Sequence, residues 1–230
     1  PTDFSKNAWN ALRYASEFYK NEEVDFYLLN AFTTNNFALD NMMVPEPGEQ
    51  WYEQAKTRSE TSIKKLLKDI EALEVPSNHT YFATVASFNM LISEMKRITE
   101  ENAIDLLIMG TQGATGAKEI FLGTHTMYAI KNMKIPVLAV PANFSYEEPK
   151  EILFPTDFKV QKDNRYLDLI KEICETHISR LHILNAYYGT PLSDEQKGTK
   201  EFLDIFLAQM HIYFILLKEP TCWEQLRNFR

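Results

Sequence analysis

The stretch from Ile104 to Thr126 constrains the fold of this chain more than any other part of it. Ile104 to Met109 is apolar except for Asp105, and the run stops at Gly110. Aliphatic and β-branched content with an abrupt glycine end predicts a short buried strand over 104–109. A second glycine follows at Gly113, and nine residues later comes Gly123-Thr124. A glycine-rich turn directly after a buried strand leaves backbone N–H groups unshielded by side chains. Such groups converge on an anion, above all where the next helix begins. Phosphate binding is the chemistry that suits this place.

The remaining pattern alternates strands with helices. Ala8, Ala11, Leu12, Ala15 and Phe18 recur at helical spacing over Asn7 to Tyr19, with Ser5 as the N-cap. Val24 to Leu29 reads as a strand, Asn35 to Gln50 as a loop holding Pro45, Pro47 and Gly48, and Trp51 to Leu73 as a long amphipathic helix. Thr80 to Val85 is a strand, Asn89 to Glu101 a helix, Gly123 to about Lys131 a short helix and Val137 to Val140 a strand. Strands separated by helices predict an α/β fold, a Rossmann-like doubly wound parallel sheet. In such sheets ligands bind beyond the carboxyl ends of the strands. Asp3, Ala31 and Gly110 each lie just past an expected strand end, so three separated motifs converge on one crevice.

The chain also repeats itself. Pro1-Thr2-Asp3-Phe4 returns as Pro155-Thr156-Asp157-Phe158, and Leu29-Asn30-Ala31-Phe32 as Leu184-Asn185-Ala186-Tyr187. Two matches in nearly the same register predict a duplicated module, residues 1–145 and 150–230, joined by a polar linker from Ala142 to Lys150. Lys150 to Phe154 reads as the strand leading into Pro155, and its counterpart is expected ahead of Pro1 in a longer chain. The distance from Pro1 to Gly110, carried over to Pro155, runs past Arg230. The second module is therefore expected to be incomplete and without a glycine loop, leaving one phosphate-binding site per chain. A strand order of three, two, one, four, five is expected.

Composition narrows the function classes. A net charge of −8 argues against nucleic acid and anionic membranes as partners. Two cysteines, Cys174 and Cys222, make no disulfide framework, which favours a cytoplasmic protein. No apolar run reaches the roughly 18 residues of a membrane span. His79, His125, His177, His182 and His211 show no ligand spacing, so no metal held by side chains alone is expected. There is no Walker-type Gly-x-x-x-x-Gly-Lys-Ser/Thr, no nucleophile elbow and no Ser–His or Cys–His arrangement. Phosphoryl transfer needs positioned charge and an oriented attacker. A cradle without an evident attacker points to binding rather than turnover, and no catalytic residue is assigned.

Gly110-x-x-Gly113, nine residues and Gly123-Thr124 resemble the nucleotide-binding signature of the universal stress protein family. Pro1-Thr2-Asp3-Phe4-Ser5 resembles that family's first strand end, and Ile135 to Val140 its last strand. The resemblance covers residues 1–141 in order and begins again at Lys150. It implies that ATP or a related adenine nucleotide is the ligand, with any Mg²⁺ arriving on the nucleotide. It also implies a homodimer or an intramolecular pseudo-dimer paired through the last strand, and a role in stress response or regulation.

The implied nucleotide-binding residues are Pro1, Thr2, Asp3, Ala31, Met109, Gly110, Gly113, Gly123, Thr124 and His125. Asp3 would sit near adenine or ribose and the Ala31 backbone near the base. Each has a plainer alternative: Asp3 as an Asx turn, Met109 as core, and His125 as an exposed histidine at a helix start. Two rivals stand beside nucleotide binding. One is a nucleotide-free scaffold whose glycines only shape a loop; the other is a slow ATP hydrolase or adenylyl-type transferase.

Overall fold

The structure, a computed structural model, describes residues 1–32, 49–73, 78–87, 91–111, 123–160, 164–186 and 191–217. Two compact units divide the chain, Pro1–Tyr146 and Glu147–Arg230. The first runs α1 (Lys6–Phe18), β1 (Val24–Phe32), α2 (Glu49–Glu71), β2 (His79–Ser87), α3 (Leu91–Glu101), β3 (Leu107–Gly110), α4 (Thr124–Asn132) and β4 (Val137–Val140). The second runs β5 (Glu151–Pro155), α5 (Arg165–His177), β6 (Arg180–Ala186), α6 (Asp194–Phe206) and β7 (His211–Leu217). No described helix is long and apolar enough to cross a membrane.

Every strand pairing is parallel. In the first unit β1 pairs with β2 and β3 with β4, as two two-stranded sheets. In the second, the order is β5-β6-β7, which suits the first three strands of the expected order. Parallel strands need helical crossovers, and the faces those helices cover become apolar. β1 shows this on consecutive residues. Leu28 packs with Ile63, Leu66 and Ile70 of α2. Leu29, pointing the opposite way, packs with Met95 and Ile98 of α3, Leu107 and Met109 of β3, and Ala129 of α4. Helices therefore cover both faces, which makes this a doubly wound α/β unit. The second unit's core gathers Phe158, Leu167, Cys174, Leu181, Ile183, Leu203 and Leu207.

Several boundaries differ from those expected: β1 runs on to Phe32, so Ala31 lies within the strand and not just past its end, and two differences fall at β3. The strand expected over 104–109 begins only at Leu107, because α3 closes with Ala103 in the left-handed region (φ 49°) and Ile104 N–H donating back to Thr99 O at 3.0 Å. That turn and the residues leaving it take up 102–106, although Ile104 and Leu106 are apolar. Gly110, read as the break after the strand, is its last paired residue, opposite Val140. The loop assigned to 35–50, apart from the first two residues of α2, lies outside the described residues, as do Gly113, Lys118 and residues 218–230.

The repeated tetrapeptides fold into the same turn. Thr2 N–H donates to Leu29 O at 2.7 Å, and Thr156 N–H to Leu184 O at 2.8 Å. Asn30 Nδ2 donates to Thr2 O at 2.7 Å, and Asn185 Nδ2 to Thr156 O at 2.8 Å. The Thr2 and Thr156 hydroxyls each accept from the amide two residues on, Phe4 and Phe158, at 3.0 Å. Asp3 and Asp157 accept likewise from Ser5 and Lys159 at 3.0 Å. These bonds hold Phe4 and Phe158 at φ 61° and 59°, a backbone region that aromatic residues ordinarily avoid. Replacing Asn30 by alanine should lower the unfolding free energy by about 2 kcal/mol, because the buried Thr2 carbonyl loses its side-chain donor. Urea denaturation of the purified chain checks this; a change below about 0.5 kcal/mol would remove Asn30 from that role.

Candidate functional site

The carboxyl ends of β1 and β3 and the first turns of α1 and α4 carry the residues that the sequence leads one to expect around a crevice. Ser5 caps α1 as predicted, its hydroxyl accepting from Ala8 N–H at 3.2 Å. One residue into that helix, the buried Asn7 lies against Gly110. A Cβ built on Gly110 would stand 2.9 Å from Asn7 Nδ2 and 3.1 Å from its backbone oxygen. A side chain at 110 would thus crowd the start of α1, which is a packing reason for glycine here beside the phosphate approach expected from the sequence.

Beyond Gly110 the backbone is tied on two sides. Thr111 N–H donates to Val140 O at 3.0 Å, and Thr111 O accepts from Gly123 N–H at 2.5 Å. The Thr126 hydroxyl donates to Gly110 O at 2.9 Å and is buried there. These bonds set the start of α4 beside the end of β3. Gly123 is the N-cap of α4 and offers no side-chain cap. Among the described residues, the first-turn amides of α4 therefore lack the N-cap side-chain acceptor that Ser5 supplies to α1.

Each expected residue has a definite place. Thr2 and Asp3 form the turn at the end of β1, with Asp3 exposed and its carboxylate in the Asx turn. Ala31 is half-buried on β1 and packs against the cluster that holds Met109. Met109 itself is 5% exposed, a core residue. Thr124 and His125 are exposed on the first turn of α4. Gly113 lies outside the described residues. The structure thus joins Gly110, Gly123 and Thr124 through Thr111, and fixes Pro1 to Asp3 against the end of β1.

Sequence reasoning missed Asn30 and Ser59. The Ser59 hydroxyl donates to Asn30 Oδ1, and both residues are buried. A visible signal existed, since Asn30 recurs as Asn185 inside an otherwise apolar strand. No group of three or more His, Cys, Asp or Glu able to hold a metal occurs among the described residues. Burial, and then the charge of Glu175, pushes the free Cys174 thiol up to about 11, so it stays protonated and unreactive at neutral pH.

Gly110→Ala should destabilise the first unit by about 1–3 kcal/mol, since α1 must move to admit the methyl group. Thermal denaturation tests this, and an unchanged midpoint would show that the helix start is not held against the strand.

Comparison with known proteins fits this geometry. A family model described as the universal stress protein family matches residues 1–141. A universal stress protein of Methanocaldococcus jannaschii, MJ0577, is 30% identical, with 61% of this chain and 91% of the relative covered. A second from the same organism, MJ0531, is 28% identical, covering 61% and 78%. Among solved structures, a universal stress protein from Archaeoglobus fulgidus has a TM-score of 0.71 at 17% identity, covering 99% of this chain and 82% of that one. At that identity the likeness is one of fold.

Proposed function

The chain belongs to the universal stress protein family, and from that premise we propose that its first unit binds ATP or a related adenine nucleotide. The site is the crevice at the ends of β1 and β3, and the protein acts as a nucleotide-responsive regulator in a stress response. The observation that carries this reading is the start of α4. A helix N-terminus without a side-chain cap is held against the turn after β3 by the Gly123–Thr111 hydrogen bond. Its amides and the positive end of its dipole suit a phosphate group. Gly113 and Thr124 would complete the cradle, and His125 would stand at its rim. Asp3 and the Ala31 backbone would face the nucleoside, with Met109 beneath as packing. Mg²⁺ would arrive with the nucleotide.

Binding without turnover is the reading, since the sequence offers no Walker-type loop, nucleophile elbow or Ser–His or Cys–His arrangement. The protein is read as cytoplasmic, and as a homodimer or intramolecular pseudo-dimer formed through β4. The second unit is read as a copy of the first, because the same turn at Thr156–Phe158 recurs there.

One observation favours the nucleotide-free scaffold instead. The Asp3 carboxylate is already used in its turn, and Asp157 is used identically in the second unit. Isothermal titration with MgATP separates the two readings. One site per chain is expected, and Gly113→Val should weaken it at least tenfold, about 1.4 kcal/mol, while the protein stays folded. Absence of binding would leave the scaffold. Two equivalent sites would overturn the assignment to the first unit alone.

A further inference from the structure

The polar segment that leaves β4 is not a free linker. Pro141 O accepts from Phe144 N–H at 3.1 Å, closing a turn. Asn10, on α1, donates its side-chain amide to Pro141 O at 3.2 Å and to Phe144 O at 2.9 Å. Aromatic contacts continue the attachment. Tyr14 meets the Phe144 ring at 6.2 Å and the Tyr146 ring edge-on at 5.4 Å, and Phe18 meets Tyr146 edge-on at 6.4 Å. Residues 141–146 therefore lie along α1 as a strap, held by one side-chain amide and three ring–ring contacts.

The strap is joined to the crevice at both of its anchors. Its first residue follows Val140, whose carbonyl accepts from Thr111 N–H in the turn after β3. Its second anchor, Asn10, lies one helical turn from Asn7, which abuts Gly110. Gly110, Thr111, Val140, Pro141, Asn10 and Asn7 thus close a ring of covalent and non-covalent links. A ligand that fixes the Gly110–Thr111 turn also fixes the two points from which the strap hangs.

We propose that occupancy of this crevice by an adenine nucleotide tightens residues 141–146 onto α1, so that the strap reports the ligand to the chain that follows Tyr146. The proposal rests on the nucleotide reading above and adds a regulated element to it. Coupling of this kind is reciprocal. A strap that docks better with ligand bound must, when released, weaken the ligand by the same factor.

The test is amide hydrogen exchange at Phe144 in the full chain, with and without saturating MgATP, beside titration calorimetry on the same samples. Exchange at Phe144 should slow at least threefold with nucleotide. Asn10→Asp, nearly isosteric but without the amide donor, should speed exchange in the absence of nucleotide and weaken MgATP by the factor seen for protection. Phe144→Ala, read by chymotryptic cleavage at Tyr146, gives the same answer should the first variant fold poorly. MgATP binding with unchanged exchange at Phe144 would overturn the coupling alone. No MgATP binding would overturn the nucleotide reading and the coupling with it, whereas faster exchange in nucleotide-free Asn10→Asp would still establish that the strap is docked.

Discussion

The side-chain amide of Asn30 is the joint on which the first unit depends. Its nitrogen holds the carbonyl of Thr2, and its oxygen takes the hydroxyl of Ser59 from the middle of α2. One buried residue thus fixes the turn that opens α1, the end of β1 and the helix packed over it. The turn contains a phenylalanine at positive φ, a conformation that costs about 1–3 kcal/mol and persists only where its surroundings over-determine it. The second unit repeats the nitrogen's bond but not the oxygen's. Asn185 Oδ1 is buried with no hydrogen-bond partner among the described residues, while the Thr199 hydroxyl turns to Glu195 O. The same turn is therefore pinned from both sides in the first unit and from one in the second. Pre-organisation of a binding crevice favours the first.

Much of this was legible in the sequence because its physics is local. Period and glycine stops located the helices and strands of the first unit to within a few residues, and Ser5 announced its own cap. The repeat of Pro-Thr-Asp-Phe located a turn that recurs bond for bond. What escaped reading depended on distant partners. Nothing near Gly110 tells that Asn7 occupies the space a side chain would need, so a packing glycine and a phosphate-loop glycine read alike. The apolar run from Ile104 predicted three strand residues too many, because the left-handed turn at Ala103 is decided by how α3 ends. Ser59 reads as one more polar residue of an amphipathic helix until the strand beneath it is known. The segment after β4 looked like a linker by composition, yet its aromatic residues have partners on α1.

The proposal of an anionic ligand rests on how this fold ends its strands and starts its helices. Parallel strands bring their carboxyl ends, and the helices that follow them bring their amino ends, to one side of the sheet. α1 meets that side already capped by its own serine. α4 meets it with a glycine, so its first-turn amides have no side-chain acceptor of their own. The contrast between the two helix starts, within one crevice, separates a structural end from one fit for a phosphate.

The most direct measurement is a crystal structure of the protein soaked with a non-hydrolysable ATP analogue. The expected result is density with the base beside Thr2, Asp3 and Ala31, and the phosphates over the Gly110–Thr111 turn and the start of α4. Analogue bound only against the second unit, or an empty crevice at saturating concentration, would contradict it.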